Sequence, residues 1–576
     1  MKQRSGGAFI AVVLALSIAS RVAAWEATVD GTDHQRQDGA TAVAVGPSGD
    51  VFATGFTDDN NFVVVKVSGT TGNILWRQTV AAPTGPYPYG RAITVDGAGD
   101  AVVAGGGNMT LIKLSGATGA MVWSYTLSGS TDSFGLALAL DGAGDVLGGG
   151  TQRNAAGGKD FVVVKLSGTT GAELWPPQRI GGLTSDVNIA NVVRADPVGD
   201  VIAAGVIDDH SFDLVKLSGA SGAELWRHAG GEAVAAAVDG AGDVVAVGWD
   251  FIVVKVSGTN GTEAWRHSND FGRAVALDAM GDVFVAGDVQ NATEGHSDGA
   301  VVKLSGATGT ELWPVQVISG TAGLGDHVND LAVDAVGDAI VAGQTWDVGT
   351  DFTILKFSGS TGERLWFTTI DGTEFGAQDL ASAVTVDGAG TIAAAGTTVN
   401  RREMTGYDFT VARFSDRISG KKMALSGDGS TRTLSVSSRD PLILASGHGV
   451  PADPTVGGAV LELSNPTTAE TAAVMLPASN WSGNTPRLFP GTQKYRYTDH
   501  GSAHSSILIQ SGKRLKIRSR GPIPFSLNEP SQGSLAVKLT IGTGGFRYCM
   551  RFGRTILADL PGRFVATDTP APDHCP

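Results

Sequence analysis

The residues in this chain best able to do chemistry are carboxylates and imidazoles gathered in a few short stretches. These are Asp208-Asp209-His210, Glu294 with His296 and Asp298, and Asp326-His327 with Asp330. Such groups ligate divalent cations and orient polar ligands. No pair among them has a diagnostic metal-ligand spacing, and no Ser, His and Asp stand in an order that marks a nucleophile with its base. The preferred reading is a solvated acidic rim, with ligand or cation binding as the alternative.

The elements that must position these residues are legible in a repeat. Asp160 to Trp175 reads DFVVVKLSGTTGAELW, a strand, a Gly-rich turn and the start of another strand. Its likeness returns in units beginning at Trp25, Trp76, Trp123, Trp175, Trp226, Trp265, Trp313 and Trp366, spaced 39 to 53 residues apart. That period suits a four-stranded propeller blade. Each unit offers four short apolar pieces joined by Gly/Asp and Gly/Thr turns, without helical periodicity. The inner strand is of the type Ala92–Asp96, the second Ala101–Gly105, the third Phe161–Leu166, and the outer one carries the Trp. Trp25 then begins an outer strand with no blade before it. It is expected to complete the eighth blade and close the ring, with Lys421–Leu425 as the rival closing strand.

Eight of the 11 Trp fall at this one position, and they are expected to seal blade against blade. A Lys ends each third strand (Lys66, Lys113, Lys165, Lys216, Lys255, Lys303, Lys356), with Arg413 in the eighth unit. An Asp precedes each second strand (Asp50, Asp100, Asp145, Asp200, Asp243, Asp282, Asp338), with Thr391 in the eighth. Cross-strand Asp–Lys pairs such as Asp100 with Lys113 and Asp145 with Lys165 are expected. The recurrent DGAGD shares residues with calcium loops but lacks their ligand series, and it falls where a hairpin turn is needed. No cofactor is therefore expected, Ca2+ being the alternative.

The DGxG and SGxTG turns share one face of such a ring and are nearly uniform. The remaining loops share the other face and vary, which marks that face as the interaction surface. Charge bears on the partner. From Trp25 to Asp416 there are 21 Lys/Arg against 47 Asp/Glu, a net −26, which argues against nucleic acid. From Arg417 onward 18 Lys/Arg face 10 Asp/Glu, and the sign change marks a domain boundary.

Residues 1–24 read as a secretory signal: Lys2 and Arg4, an apolar Ala8–Ala19, then Val22-Ala23-Ala24 before Trp25. No later run is long and apolar enough to span a membrane, so a soluble, monomeric chain exported to the periplasm, envelope or medium is expected. The two cysteines, Cys549 and Cys575, are expected to pair. Residues 417–576 alternate apolar and polar residues in TLSVSS, AVLELS, SSILIQ, RLKIRS and LAVKLTI, as a β-sandwich would. There, Lys513, Arg514, Lys516, Arg518 and Arg520 form a basic stripe. It reads as the solvated face of a surface strand, or as a dock for an anionic surface.

KLSGTTGAELW (Lys165–Trp175) resembles the tryptophan-docking repeat of quinoprotein-type propellers, and GDVFVAG with FVVVKLSG resembles bacterial β-propeller repeats of the SBBP type. The likeness covers 25–416 and implies the fold. Quinoprotein dehydrogenases typically present adjacent cysteines and calcium ligands at their cofactor, and this propeller contains no Cys. The reading is an all-β protein, an eight-bladed propeller (25–416) followed by a sandwich-like domain (417–576). Its expected role is non-catalytic binding of a protein or polysaccharide on the variable face. The alternative is an enzyme, either a quinoprotein-type oxidoreductase or a metal-assisted polysaccharide lyase or hydrolase.

Overall fold

The computed structural model describes residues 25–569 and 572, with interruptions at 32–36, 59–60, 81–88, 130–132, 155–156, 182–187, 208–210, 230–232, 249–251, 269–271, 292–294, 321–323, 347–348, 371–377, 389, 400–405, 415–417, 429–430, 440–453, 485–493, 500–503, 511–512 and 542–546. The Val- and Ala-rich runs form strands almost throughout. Among the described residues the helical content is one turn at Pro454–Gly457 and a 3-10 turn at Ala478–Asn480.

The repeat folds as eight four-stranded antiparallel sheets. Seven are built from consecutive strands: blade 1 (39–80), blade 2 (90–126), blade 3 (133–180), blade 4 (189–229), blade 5 (233–268), blade 6 (274–318) and blade 7 (327–370). Blade 8 takes Leu380–Val386, Ile392–Val399 and Tyr407–Phe414, and its outer strand is Trp25–Val29, with Trp25 opposite Arg413. The N-terminal strand therefore closes the ring. The rival segment lies in Gly420–Asp428, which pairs with Thr431–Ser438 and Arg563–Thr569 in the second domain. Inner strands of successive blades adjoin, including blade 8 beside blade 1.

Apolar clusters straddle the blade seams. Val245 and Val253 of blade 5 pack with Val283, Val302 and Leu304 of blade 6 around Trp265. Each such side chain contributes about 1.5–3 kcal/mol on full burial. The repeated Trp rings are buried, with Trp76 partly so. Each of the seven from Trp25 to Trp313 lies against the second Gly of the next blade's SGxTG turn. A Cβ on Gly119 would meet the Trp76 ring at 2.8 Å, and one on Gly309 would meet Trp265 at 2.5 Å. These glycines also have φ of 73° and 70°, so glycine is needed for backbone and for space alike. The indole Nε1 of Trp76, Trp123, Trp226 and Trp265 donates to Gly116, Gly168, Gly258 and Gly306 of the following blade at 3.0–3.2 Å.

The expected Asp–Lys pairs form in six of the seven blades, at 3.0–3.8 Å, with a second aspartate added in all of these but blade 1. In six blades the nearer partner of Lys is the Asp that ends the first strand. Lys113–Asp96, Lys216–Asp196, Lys303–Asp278 and Lys356–Asp334 are at 2.7 Å, Lys255–Asp239 at 2.8 Å and Lys165–Asp141 at 2.9 Å. The expected partners are secondary, Asp100 standing 3.7 Å from Lys113 and Asp200 3.3 Å from Lys216. No ion pair joins Asp145 to Lys165, whose pairing is with Asp141. In blade 1 a Gly46 occupies the first-strand position, and Lys66 pairs with Asp50 at 3.0 Å instead. The second Asp is needed elsewhere. Its Oδ1 accepts the backbone N–H of the SGxTG turn, as Asp100 does from Gly116 at 2.9 Å and Asp200 from Gly219 at 2.9 Å.

The Lys also reaches across the seam. Lys113 Nζ donates to Gly168 O at 3.0 Å, and Lys216 Nζ to Gly258 O at 2.9 Å. Arg413 makes the same bond to Gly69 and so joins blade 8 to blade 1. In blades 2, 4, 5 and 6 the lysine thus ties two carboxylates of its own blade to the backbone of the next.

One blade departs from the repeat. Pro176 and Pro177 follow Trp175, and proline has no N–H to give the ladder. The outer strand of blade 3 is therefore delayed to Gln178–Ile180, and Trp175, expected to begin it, lies outside the strand while remaining buried.

The second domain has an eight-stranded and a four-stranded sheet. TLSVSS, SSILIQ and RLKIRS enter the larger, AVLELS and LAVKLTI the smaller. Leu434, Ile509 and Ile517 from one sheet share a core with Leu461, Val537 and Leu539 from the other. Cys549 is buried in Arg547–Phe552, and Cys575 lies outside the described residues.

Candidate functional site: the variable mouth of the channel

Inner strands line the centre of a propeller, and here seven of the eight are bulged at one position. The displaced residues are Thr41, Arg91, Leu136, Asn191, Val234, Asn329 and Ser382, while blade 6 keeps a regular register over Ala274–Leu277. A bulge re-aims its side chain. Three of the polar ones reach the next blade, Thr41 Oγ1 donating to Gly90 O at 2.6 Å. Asn191 Nδ2 donates to Ala233 O at 3.0 Å, and Asn329 Nδ2 to Ala381 O at 2.9 Å.

The bulges stand at the start of the inner strands, the end opposite the DGxG turns. Between blades 6, 7 and 8 at this end lies a pocket of ≈ 320 Å3, lined by Arg273, His327, Asn329, Gln344, Leu380 and Ser382. Asp288 organises its wall. Its Oδ2 takes Arg273 Nη2 at 2.7 Å and His327 Nδ1 at 3.1 Å, and its Oδ1 accepts the Val328 N–H at 3.2 Å. A carboxylate only accepts, so His327 donates through Nδ1 and turns Nε2 away. The arrangement can orient a polar ligand with a guanidinium, an imidazole, two amides and a hydroxyl.

The sequence-derived candidates divide. His327 lines the pocket. Asp330 lies on the same strand and accepts from Val384 N of blade 8 at 2.8 Å and from Leu331 N at 2.8 Å. Burial pushes its carboxyl up to about 6, with those two N–H groups and the charge of Arg194 opposing the rise. Arg194 lies on the inner strand of blade 4 and donates through Nη1 to Val193 O at 2.9 Å. Asp326 is a loop clamp: it is buried and accepts from Gly320 N at 2.7 Å and Trp346 N at 2.6 Å. Asp38 does the same in blade 1 with Gly31 and Asp58. His296 and Asp298 pair with each other at 3.3 Å along one strand, and neither lines the pocket. Asp208, Asp209, His210 and Glu294 lie outside the described residues. Among the described residues no three His, Cys, Asp or Glu are grouped to hold a metal ion.

Arg273, Asp288, Gln344 and Ser382 were not distinguished in the sequence. Arg273 immediately precedes the inner strand of blade 6, while Asp288, Gln344 and Ser382 lie on strands of blades 6, 7 and 8, and none belongs to the repeat motif. The available signal was their place at the variable end of each strand.

A ring of four-stranded blades, sealed by tryptophans docked on glycine turns and opening on one variable face, defines the class of PQQ-like repeat propellers. The chain belongs to the family described as outer membrane protein assembly factor BamB, whose model matches residues 60–209 and 210–446. A search of curated protein sequences finds no match. Similar solved structures include the quinohemoprotein alcohol dehydrogenase of Comamonas testosteroni, 12% identical over 68% of this chain and 76% of that one, with a TM-score of 0.48. BamB of Moraxella catarrhalis is 16% identical over 67% of this chain and 98% of its own, with a TM-score of 0.42.

Proposed function

We propose that this protein is a non-catalytic propeller of the cell envelope that binds a protein or glycan partner through its variable face. The observation that carries this reading is the asymmetry of the ring. On one face the turns are locked by repeated Asp, Lys and Trp bonds to neighbouring backbone. The other face holds the bulged strand starts and the ≈ 320 Å3 pocket with its Arg273–Asp288–His327 wall. Membership of a family described by outer membrane protein assembly supports an envelope setting and a protein partner. No described helix is long and apolar enough to cross a membrane.

The residues at the pocket do not fit a quinone with its calcium. The lining contributes no carboxylate, and the nearby Asp288 is committed to Arg273 and His327. Site-specific photocrosslinking tests the reading. A photoreactive residue at Gln344 is expected to capture envelope partners in cells, and one at Ala98, on a hairpin of the opposite face, is not. Adducts from Ala98 alone would place the interaction on the wrong face. Turnover of an alcohol or polysaccharide that R273A/H327A abolishes would favour the enzyme.

A further inference from the structure

The basic stripe seen in the sequence becomes a two-dimensional array in the second domain. Along Arg514–Gly521 burial alternates strictly, with Leu515, Ile517 and Ser519 inward and Lys516, Arg518 and Arg520 exposed. Side chains two apart on a strand share a face at roughly 6.8 Å spacing. Arg514, Lys516, Arg518 and Arg520 therefore form a line on the order of 20 Å long.

The register extends this line sideways. Lys516 is opposite Ser437 on one side and Leu508 on the other, Ser437 is opposite Lys422, and Leu508 is opposite Arg496. Lys422, Lys516 and Arg496 thus form a row across five strands, each cation about 9.6 Å from the next at the usual strand spacing. Lys422 and Arg496 are exposed like Lys516. Between the rows of Arg514 and Arg520, the outward positions separating cations are Ser435, Ser437, Ser506, Thr433, Leu508 and Gln510. No Asp or Glu stands among them, and no described carboxylate is ion-paired with these six cations. Cations without a described carboxylate partner, exposed except for the half-buried Arg514 that donates to Gln510 Oε1 at 3.2 Å, are the arrangement of a surface awaiting an anion.

We propose that this outer face of the eight-stranded sheet binds a polyanionic polysaccharide, laid along Arg514–Gly521. Charge complementarity identifies a polyanion. The linear array with hydroxyl and amide groups between the cations suits an extended, hydroxyl-rich chain. A membrane surface would instead favour aromatic or aliphatic residues among the cations, and this part of the face offers only the partly buried Leu508. The face is independent of the propeller pocket.

The test uses the full chain. Binding to heparin and to polygalacturonate is measured by titration calorimetry at low and high salt, beside neutral dextran, phosphatidylglycerol-containing vesicles and single-stranded DNA. Both acidic polysaccharides are expected to bind, weakening as salt rises, while dextran does not. K516E/R518E is expected to weaken binding at least about tenfold, allowing for the modest worth of exposed charges. The milder K516Q/R518Q should fall between. Variants are compared only where near-UV circular dichroism matches the parent. Unchanged affinity in both variants would overturn the proposal. So would tighter binding to vesicles or DNA than to either polysaccharide. A salt-sensitive self-association that these variants abolish would overturn it too, assigning the face to the acidic propeller of a second copy.

Discussion

Lys216 offers the sharpest test of how the ring is held. Its ammonium lies 2.7 Å from Asp196 and 3.3 Å from Asp200, and it donates to Gly258 O of blade 5 at 2.9 Å. The side chains of Lys216 and Asp196 are only 9% and 2% exposed. Lys216→Met keeps most of the apolar stem but leaves two carboxylates facing each other without a cation. Removing one partner of a buried pair costs about 3–5 kcal/mol, a large fraction of the ~5–15 kcal/mol that holds a typical domain together. Urea unfolding followed by tryptophan fluorescence should show the midpoint falling accordingly. The double variant K216M/D196N should recover a good part of the loss. Its amide oxygen can still accept from Val198 N and Asp200 N, the two bonds that shape the hairpin. A single variant within about 1 kcal/mol of the parent would refute the reasoning, as would a double variant no more stable than the single.

Gly119→Ala should destabilise the seam of blades 1 and 2 by roughly 2–4 kcal/mol, combining a left-handed backbone with a Cβ at 2.8 Å from Trp76, read as a lower Tm. Stability should rise as pH falls from 7 toward 5. The raised carboxyl of Asp330, at about 6, imposes a cost present above pH 6 and relieved as it protonates, at most about 3 kcal/mol. Below about pH 4 stability should fall. For Asp96, Asp141 and Asp239 burial raises the carboxyl, but the lysine and backbone N–H groups more than offset it, and that contribution is lost on protonation. Asp330→Asn should remove the rise and keep the fall, which thermal melts across the pH range would show. C575S should lower stability by about 2–4 kcal/mol if Cys549 and Cys575 pair, and non-reducing peptide mapping would show the pair directly.

The class of fold, the period, the closing role of Trp25 and the place of seven of the eight tryptophans could be read from the chain, Trp175 lying outside its expected strand. Each depends on local pattern: alternation, turn chemistry and a residue recurring at one offset. The expected Asp–Lys pairs form within 4 Å in six of seven blades, but the sequence did not show that the first aspartate of the turn, four residues earlier, is the nearer partner in six blades. Only the hairpin's curl decides that the first comes nearest the lysine while the second both pairs with it and accepts from the neighbouring glycine turn. The blade-to-blade reach of the lysines was likewise invisible, since sequence spacing says nothing of what the next blade presents.

The candidate site shows the same division. His327 and Asp330 could be suspected from residue type, but Asp326, beside them and of the same type, proved to be a loop clamp. Arg273, Asp288, Gln344 and Ser382 converge only because the ring brings three blades to one mouth and a bulge turns the strand starts inward. In the second domain the alternation of Arg514–Arg520 determined a basic line. Pairing with the strands of Arg496 and Lys422 made it a surface. By itself the sequence determined what rests on a recurring local pattern: the blade strands and turns and the docked tryptophans, with the outer strand of blade 3 as the exception. The tertiary structure alone decided which charges meet, because ion pairs, pockets and charged faces depend on register and ring closure, which act between residues far apart in the chain.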